Sequence, residues 1–185
     1  SRPLAGTYLD LDLVRQGTPR SPFVYANFVS SLDGRIAVAG DPETEPRLPE
    51  ELPNRHDFRL FQELQAHADC QVAHGSYLRA LERGELGDIL QIGVSQGTED
   101  IGQWRRSQGL HTQPGVAVVS RTLDFPMPDS VGDHGQPVHI ITGEQAPPER
   151  IGHWRERGYE VRFAGAGEAV EGAALIRTLG ELGYT

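Results

Sequence analysis

The hydrophobic positions of this chain fall into short runs, separated by polar stretches rich in Gly and Pro. The run at residues 23–29 reads F-V-Y-A-N-F-V, which is almost continuously aromatic, aliphatic or small. Such a run is typical of a strand covered on both faces, as in a parallel sheet between helices. The polar loop S-S-L-D-G-R follows at Ser30, and apolar residues resume at Ile36. We therefore predict a buried strand from Phe23 with a polar loop at its end, where α/β sheets usually place ligands.

Further runs predict four more strands. Three are short and mainly apolar, as buried strands are, and the last alternates strictly, as a half-exposed strand does. They span residues 69–74, 115–121, 137–142 and 159–163.

Amphipathic segments between these runs predict helices. Asn54 and Thr98 are candidate N-caps for two of them, and Pro147 or Pro148 opens a third at a position that tolerates proline. The predicted helices cover residues 55–67, 76–83, 99–107, the stretch between Pro148 and Gly158, and residues 171–182. Alternation of strands and helices predicts an α/β fold, a mainly parallel sheet with helices on both faces in three layers.

The first predicted helix carries an apolar stripe. Phe58, Phe61 and Leu64 recur at helical spacing, which predicts the face that packs on the core. Residues 84–97 and 123–136 are rich in Gly or Pro and predict loops.

Composition narrows the classes of function. A chain of 185 residues predicts one domain, residues 1–185, in which residues 1–21 form an N-terminal arm. The formal charge of −9 argues against non-specific nucleic-acid binding, although a phosphorylated ligand still fits where Arg side chains and helix N-termini converge. The single cysteine, Cys70, excludes an intrachain disulfide and a cysteine zinc cluster, and we predict that it is a small core residue with no metal site nearby.

No apolar stretch approaches the roughly 20 residues of a membrane span, and no signal peptide is visible in the sequence. We therefore expect a cytoplasmic protein that binds no membrane and no nucleic acid.

Polar residues follow three of the predicted strands. Gly75 and Ser76 open a helix, where free backbone N–H groups bind anions. Ser120 and Arg121 place a hydroxyl and a guanidinium at a strand end, which suits a dianionic phosphate. A plain polar strand end is the alternative at each place, and L-D-G at residues 32–34 is equally compatible with a simple turn.

Residues 25–37, Y-A-N-F-V-S-S-L-D-G-R-I-A, resemble the opening strand and loop of the reductase domain of riboflavin-biosynthesis deaminase-reductases, the RibD C-terminal family. The resemblance implies a dihydrofolate-reductase-like fold, NADPH as cofactor and a homodimer. The family continues with a further strand, a Glu-Gly-Gly turn and closing antiparallel strands, so the resemblance also implies that this sequence either is a fragment of the family domain or lacks the C-terminal strands of the fold. The H-x-E and P-C-x-x-C motifs of the deaminase half do not occur in the sequence.

The resemblance also implies roles for particular residues. Asp33 would be catalytic, orienting the substrate and helping to deliver a proton. Substrate-binding residues would be Asn27, Ser30, Ser31 and, for the phosphate, Arg59. Cofactor-binding residues would be Gly75, Ser76, Ser120, Arg121, Thr142 and Gly143.

The function implied is NADPH-dependent reduction of 5-amino-6-(5-phosphoribosylamino)uracil, or of a related pyrimidine or pterin, in riboflavin biosynthesis. The substrate would be a small phosphorylated pyrimidine whose sugar becomes a ribityl chain. A non-catalytic nucleotide-binding or dimerisation module of the same fold, and a dihydrofolate-type reductase, remain alternatives.

Overall fold

The computed structural model describes residues 6–28 and 54–185. Within them a four-stranded sheet consists of β1 (Cys70–His74), β2 (Gly115–Val119), β3 (Val138–Thr142) and β4 (Glu160–Phe163). The strands lie side by side in chain order, and every neighbouring pair is parallel. The predicted α/β fold with a parallel sheet is therefore confirmed.

Six α-helices occur in the same ranges: α1 (Arg55–Gln65), α2 (Gly75–Glu82), α3 (Glu99–Ser107), α4 (Asp129–Asp133), α5 (Pro148–Glu156) and α6 (Gly172–Glu181). Five were predicted, whereas α4 lies in a predicted loop. In the N-terminal arm the chain forms two 3-10 turns, Leu9–Leu11 and Leu13–Arg15. None of the helices in the described ranges is long and apolar enough to cross a membrane.

Helices cover both faces of the sheet. On one face α2, α4 and α5 pack over Val116, Val118 and Ile140, and Trp154 of α5 is almost completely buried there. On the opposite face α6 packs over Ala117 and Ile141, and that cluster also includes Cys70, Ala164, Val170, Ala174, Leu175 and Leu179. We call these the α2 face and the α6 face. The result is the predicted three-layer arrangement.

The predicted first strand is not formed over the part that the structure describes. Residues 22–28 have no strand pairing, and Phe23, Val24 and Phe28 are 41%, 61% and 66% exposed. The prediction is wrong there because a strand needs a hydrogen-bonded neighbour, and none of the four described strands pairs with this segment. Residues 29–38, the rest of the predicted strand and its loop, lie outside the described residues.

The buried face of α1 is polar, which contradicts the prediction from its apolar stripe. Gln62, Glu63 and His67 are at most 3% exposed, whereas Phe58 and Phe61 are only partly buried. Each of the three buried polar side chains has a hydrogen-bond partner in a segment distant along the chain, and these bonds offset the cost of removing polar groups from water. Hydrophobic spacing carries no information about such partners.

Candidate functional site

The ends of β1, β2 and β3 bring six of the predicted site residues to one edge of the sheet. Gly75 and Ser76 follow β1, Ser120 and Arg121 follow β2, and Thr142 and Gly143 end β3 or follow it. The carboxyl ends of parallel strands meet at the same edge, and the register His74↔Val119 aligns the first two ends directly. We call this region, together with residues 165–168 after β4, the carboxyl edge.

Gly75 and Ser120 are in direct contact at this edge. A Cβ added to Gly75 would lie 3.1 Å from the Ser120 hydroxyl, and both residues are buried. The Ser120 hydroxyl also accepts a hydrogen bond from the Leu123 backbone N–H at 3.1 Å. Ser120 therefore shapes the turn after β2, and its hydroxyl donates to no partner in the described part of the chain.

Gly143 allows two loops to approach each other closely. A Cβ at this position would lie 2.1 Å from the carbonyl oxygen of Gly167, a distance that no side chain could occupy. The loops are joined by backbone hydrogen bonds from Glu144 to Gly165 at 2.9 Å and from Gln145 to Gly167 at 3.1 Å. Glycine at residue 143 is thus explained by backbone packing, without reference to a ligand.

Thr142 directs its hydroxyl into the protein. The residue is completely buried, and the hydroxyl has no hydrogen-bond partner in the described part of the chain. In the parallel register Thr142 pairs with Phe163, two positions after Ile140 and Val161, so it shares their face of the sheet, the α2 face. A ligand contact by Thr142 would therefore have to come from its backbone.

Arg121 supplies the positive charge among the six residues. Its guanidinium pairs with the Glu168 carboxylate at 3.0 Å, and both side chains are more than 60% exposed. An ion pair this exposed contributes little stability, typically about 0–1 kcal/mol. A phosphate can therefore replace Glu168 at little cost.

The donors of Ser76 already have a partner. The His74 Nδ1 atom lies 3.3 Å from the Ser76 backbone nitrogen and 2.9 Å from its hydroxyl, so His74 caps the first turn of α2. Sequence reasoning missed this contact. The available signal was a side-chain acceptor directly before a Gly-Ser helix start, which is the position of an N-cap.

Arg59 lies in an ion-pair network between α1 and α3. Its Nε donates to Glu63 at 2.7 Å, and its two terminal nitrogens donate to the Asp100 carboxylate at 2.6 and 2.8 Å. One of them also donates to the Gly97 carbonyl oxygen at 3.1 Å. The hydrogen bonds that Arg59 donates to Asp100 raise the pKa of the guanidinium above its usual value, with burial opposing them. A substrate phosphate would have to compete with these partners, so that role stays a prediction.

The remaining predicted residues are not tested by the structure. Asn27 is exposed near the end of the first described range, and no strand positions it. Ser30, Ser31 and the predicted catalytic Asp33 lie outside the described residues.

A concavity of about 450 Å³ lies elsewhere, between the C-terminal end of α2 and the start of α4. It is lined by Leu81, Glu82, Asp88 and residues 126–130. None of the predicted site residues lines it, so it is separate from the carboxyl edge.

Comparison with known proteins shows a similarity of fold. No protein-family model and no curated protein matches the sequence. The fold is similar to the crystal structure of a pyrimidine reductase-like protein from Corynebacterium diphtheriae, with a TM-score of 0.51 and 17% sequence identity. The match covers 75% of this chain and 53% of that protein, so the chain spans about half the length of the structure it resembles. At this identity the similarity shows a shared α/β fold.

Proposed function

We propose that this protein is an NADPH-dependent reductase of a phosphorylated pyrimidine, of the type of 5-amino-6-(5-phosphoribosylamino)uracil, in riboflavin biosynthesis. One observation carries the proposal. Loops from three successive parallel strands converge on one edge of a fold that resembles a pyrimidine reductase-like protein. The resemblance of residues 25–37 to a riboflavin-pathway reductase supports the same reaction.

The residues at the carboxyl edge fit an anionic dinucleotide. Gly75 has no side chain at the start of α2, and the positive end of the helix dipole there favours phosphate. Arg121 is exposed, and among the described residues its ion-pair partner is the exposed carboxylate of Glu168, which suits the 2′-phosphate that distinguishes NADPH from NADH. Beside them lie Ser120, Gly143 and the backbone of Thr142. Ser76 stays bonded to His74 at the first turn of α2.

When bound, NADPH supplies the hydride. The chain's own residues then bind and orient the acceptor, because hydride transfer depends mainly on positioning. Asp33 orients the substrate and helps to deliver the proton, directly or through water. Asn27, Ser30 and Ser31 hydrogen-bond the substrate or the nicotinamide, and Arg59 exchanges one of its present partners for the substrate phosphate. We further propose a cytoplasmic homodimer.

The substitution Arg121→Gln tests the cofactor assignment. We expect the Kd for NADPH to rise about tenfold, a loss of about 1.4 kcal/mol, with the Kd for NADH changed less than twofold. The matched control is Arg162→Gln, which removes another exposed Arg that pairs with a neighbouring carboxylate. Cofactor fluorescence titration gives both constants, and NADPH oxidation is followed by absorbance. Wild-type protein that binds neither cofactor at millimolar concentration contradicts the proposal.

A non-catalytic nucleotide-binding module is the second candidate. Catalysis needs a precisely positioned cofactor, and fewer groups are left to position it because both Ser76 donors bond to His74 and Ser120 serves as a turn-forming acceptor. In that case NADPH would raise the melting temperature, because a ligand that binds only the folded state stabilises it. No pyrimidine would then be reduced.

A further inference from the structure

We propose that the His74 side chain contacts the substrate at the end of β1, beside Ser76, which the sequence analysis assigned to the cofactor. In this assignment the His74 Nε2–H donates a hydrogen bond to a ring carbonyl oxygen of a planar pyrimidine. The inference rests on the proposed function and deepens it, since it names a residue that selects the substrate.

The hydrogen bonds of Ser76 determine which nitrogen of His74 carries the proton. A backbone N–H can only donate, so the His74 Nδ1 atom that faces the Ser76 backbone nitrogen at 3.3 Å must accept. The Ser76 hydroxyl, 2.9 Å from the same atom, donates to it as well. The neutral ring therefore carries its proton on Nε2, and two bonds to one residue hold its orientation.

The Nε2–H group of His74 is free to bind a ligand. His74 is exposed, and no hydrogen bond joins its Nε2 to any residue in the ranges 6–28 and 54–185. Two other histidines differ in this respect. His67 donates through Nε2 to the Tyr8 carbonyl at 2.7 Å, and His139 contacts Tyr184 through Nε2 at 2.9 Å.

An apolar surface lies beside this donor. His74 pairs in register with Val119, so the two side chains lie on the same face of the sheet, the α6 face. Val72, two residues earlier on β1, shares that face and is 52% exposed. A flat ring that rests on these valines would present its edge to the histidine. A pyrimidine combines an apolar ring face with carbonyl oxygens that accept hydrogen bonds at its edge. The valines fit the face, and the His74 donor fits the edge.

Ser76 consequently acts as a positioning residue. Its backbone N–H and its hydroxyl are both used to hold the imidazole, so its effect on the substrate passes through His74. This assignment makes a different prediction for each of the two residues.

The main test is the kinetics of His74→Phe, which keeps a planar ring and removes the donor. With 5-amino-6-(5-phosphoribosylamino)uracil and NADPH, we expect the KM for the pyrimidine to rise at least tenfold, while the Kd for NADPH changes less than twofold. His74→Gln keeps an N–H donor on a side chain of similar reach and should stay within about threefold of wild type. The matched control is His134→Phe at an exposed position after α4.

His74 also caps α2, so a second variant separates capping from substrate contact. Asparagine is a good N-cap, but its side chain is too short to place a donor where Nε2 lies. His74→Asn should therefore keep the melting temperature close to that of wild type and still raise the KM at least tenfold.

The positioning role of Ser76 can be tested separately, by the tautomer of the His74 ring. Long-range ¹H–¹⁵N spectra of the wild-type protein should show the His74 ring with its proton on Nε2. Ser76→Ala keeps the backbone donor and removes the hydroxyl, so we expect a partial shift toward the other tautomer and a smaller rise in KM than in His74→Phe.

The outcomes are distinguishable. If wild-type protein reduces the pyrimidine and His74→Phe has an unchanged KM, the assignment of His74 is overturned and the proposed function stands. A rise in the Kd for NADPH without a rise in KM would place His74 on the cofactor and also overturn it. Wild-type protein that binds neither NADPH nor the pyrimidine overturns the proposed function, and the assignment of His74 with it.

Discussion

At the scale of single residues, Arg105 shows how a buried charge can be satisfied by backbone alone. Its side chain is completely buried, and it forms no ion pair in the described part of the chain. One terminal nitrogen donates to the carbonyl oxygens of Ala66 and Ala68, each at 2.6 Å, and Nε donates to that of His111 at 2.8 Å. Burial lowers the pKa of Arg105 to about 10. The guanidinium thus occupies the carbonyl end of α1, where unpaired oxygens and the helix dipole favour a cation.

We expect Arg105→Met to lower the free energy of unfolding by about 3 kcal/mol, because three carbonyl oxygens lose their donor while methionine fills most of the space. Arg106→Met is the matched control. Arg106 is exposed, so its loss should cost less than about 0.5 kcal/mol. Urea unfolding followed by circular dichroism measures both. Equal costs for the two variants would show that the buried hydrogen bonds do not stabilise the fold.

Glu63 of α1 and His67, which lies just after that helix, attach the N-terminal arm. The Glu63 carboxylate accepts the backbone N–H groups of Gly6 and Tyr8, the latter at 3.0 Å. His67 donates through Nε2 to the Tyr8 carbonyl, and its Nδ1 is buried without a partner among the described residues. Burial lowers the pKa of His67, and the hydrogen bond to Tyr8 opposes this only partly. His67 is therefore held in its neutral form.

This makes stability depend on pH in a definite direction. The unfolded chain binds a proton at His67 near the ordinary pKa of about 6.5, and the folded protein binds it only at lower pH. Acidification through that window therefore favours unfolding, by at most about 1.4 kcal/mol per pH unit from this residue. Above the ordinary pKa the contribution of His67 is constant.

The measurement is urea unfolding between pH 7.5 and 5. We expect wild-type stability to fall over this range and His67→Gln to fall less steeply, whereas the exposed-residue control His134→Gln should keep the wild-type slope. Identical slopes in all three proteins would mean that His67 does not titrate differently on unfolding.

Predictions for single residues succeeded where the hydrogen-bond partner lies close by in the sequence. The Asn54 side chain accepts the N–H groups of His56 and Asp57, each at 3.0 Å, so the predicted cap of α1 is confirmed. Thr98 precedes α3 as predicted, but its hydroxyl donates to the Ser95 carbonyl and caps nothing. The competing acceptor comes from the loop before the helix, and its approach depends on how that loop folds.

At the scale of elements, the segment 90–92 is buried without being a strand. Glutamine side chains supply the backbone hydrogen bonds that a neighbouring strand would provide. Gln113 bonds both to the Ile92 N–H at 2.8 Å and to the Ile92 carbonyl at 2.7 Å. Gln136 donates to the Leu90 carbonyl at 3.0 Å, and Gln62 donates to that of Gln91 at 3.3 Å. Residues 90–92 of the predicted loop are thus packed into the core, whereas residues 84–88 of the same loop are exposed.

The substitution Gln113→Ala should leave both backbone groups of Ile92 buried and unpaired. We expect it to lower the free energy of unfolding by about 2–4 kcal/mol. Gln103→Ala, at an exposed position of α3, is the control and should change stability by less than about 0.5 kcal/mol. Amide hydrogen exchange at Ile92 gives an independent check. Unchanged protection of that amide in Gln113→Ala would contradict the assigned role.

Element boundaries were most predictable where capping and breaking signals bracket a segment. The bounds of α3 match the prediction, and Gly109, with φ of +79°, follows it closely. The five residues of α4 were missed because they span little more than one turn after Pro128, too short for a helical period to show. The run at Phe23 was misjudged because apolar composition predicts a capacity to pair, and pairing also needs an adjacent strand.

At the scale of the whole molecule, α6 and the residues after it tie the C-terminal part to the N-terminal segment and to the sheet. Gly180 packs so closely that an added Cβ would lie 2.1 Å from the Pro19 carbonyl oxygen. Tyr184 contacts His139 of β3 at 2.9 Å, and Thr185 donates to the Asp69 carboxylate from its backbone at 2.7 Å. Cys70 lies beside this cluster, and burial raises the pKa of its thiol to about 12. These values support the prediction of a core cysteine.

The close approach of α6 predicts opposite effects for two glycines in helices. Gly180→Ala should lower the free energy of unfolding by about 1–3 kcal/mol, because the new methyl group meets backbone that must shift. Gly152→Ala in α5 has no atom within 4 Å of the added Cβ and should raise it by about 0.5–1 kcal/mol through helix propensity. Thermal and urea unfolding measure both. A Gly180→Ala protein as stable as Gly152→Ala would show that α6 does not depend on this contact.

By itself the sequence determined the elements whose information is local: the strands β1 to β4, five of the helices, the cap at Asn54 and the glycine and proline stops. Strand order, the polar face of α1, the partners of Arg59 and Arg105, and the contact between His74 and Ser76 were decided only by the tertiary structure. The physical reason is that hydrophobic period and backbone preference act over a few residues. A buried polar side chain, in contrast, is stabilised by whichever donor or acceptor the fold brings within about 3 Å of it.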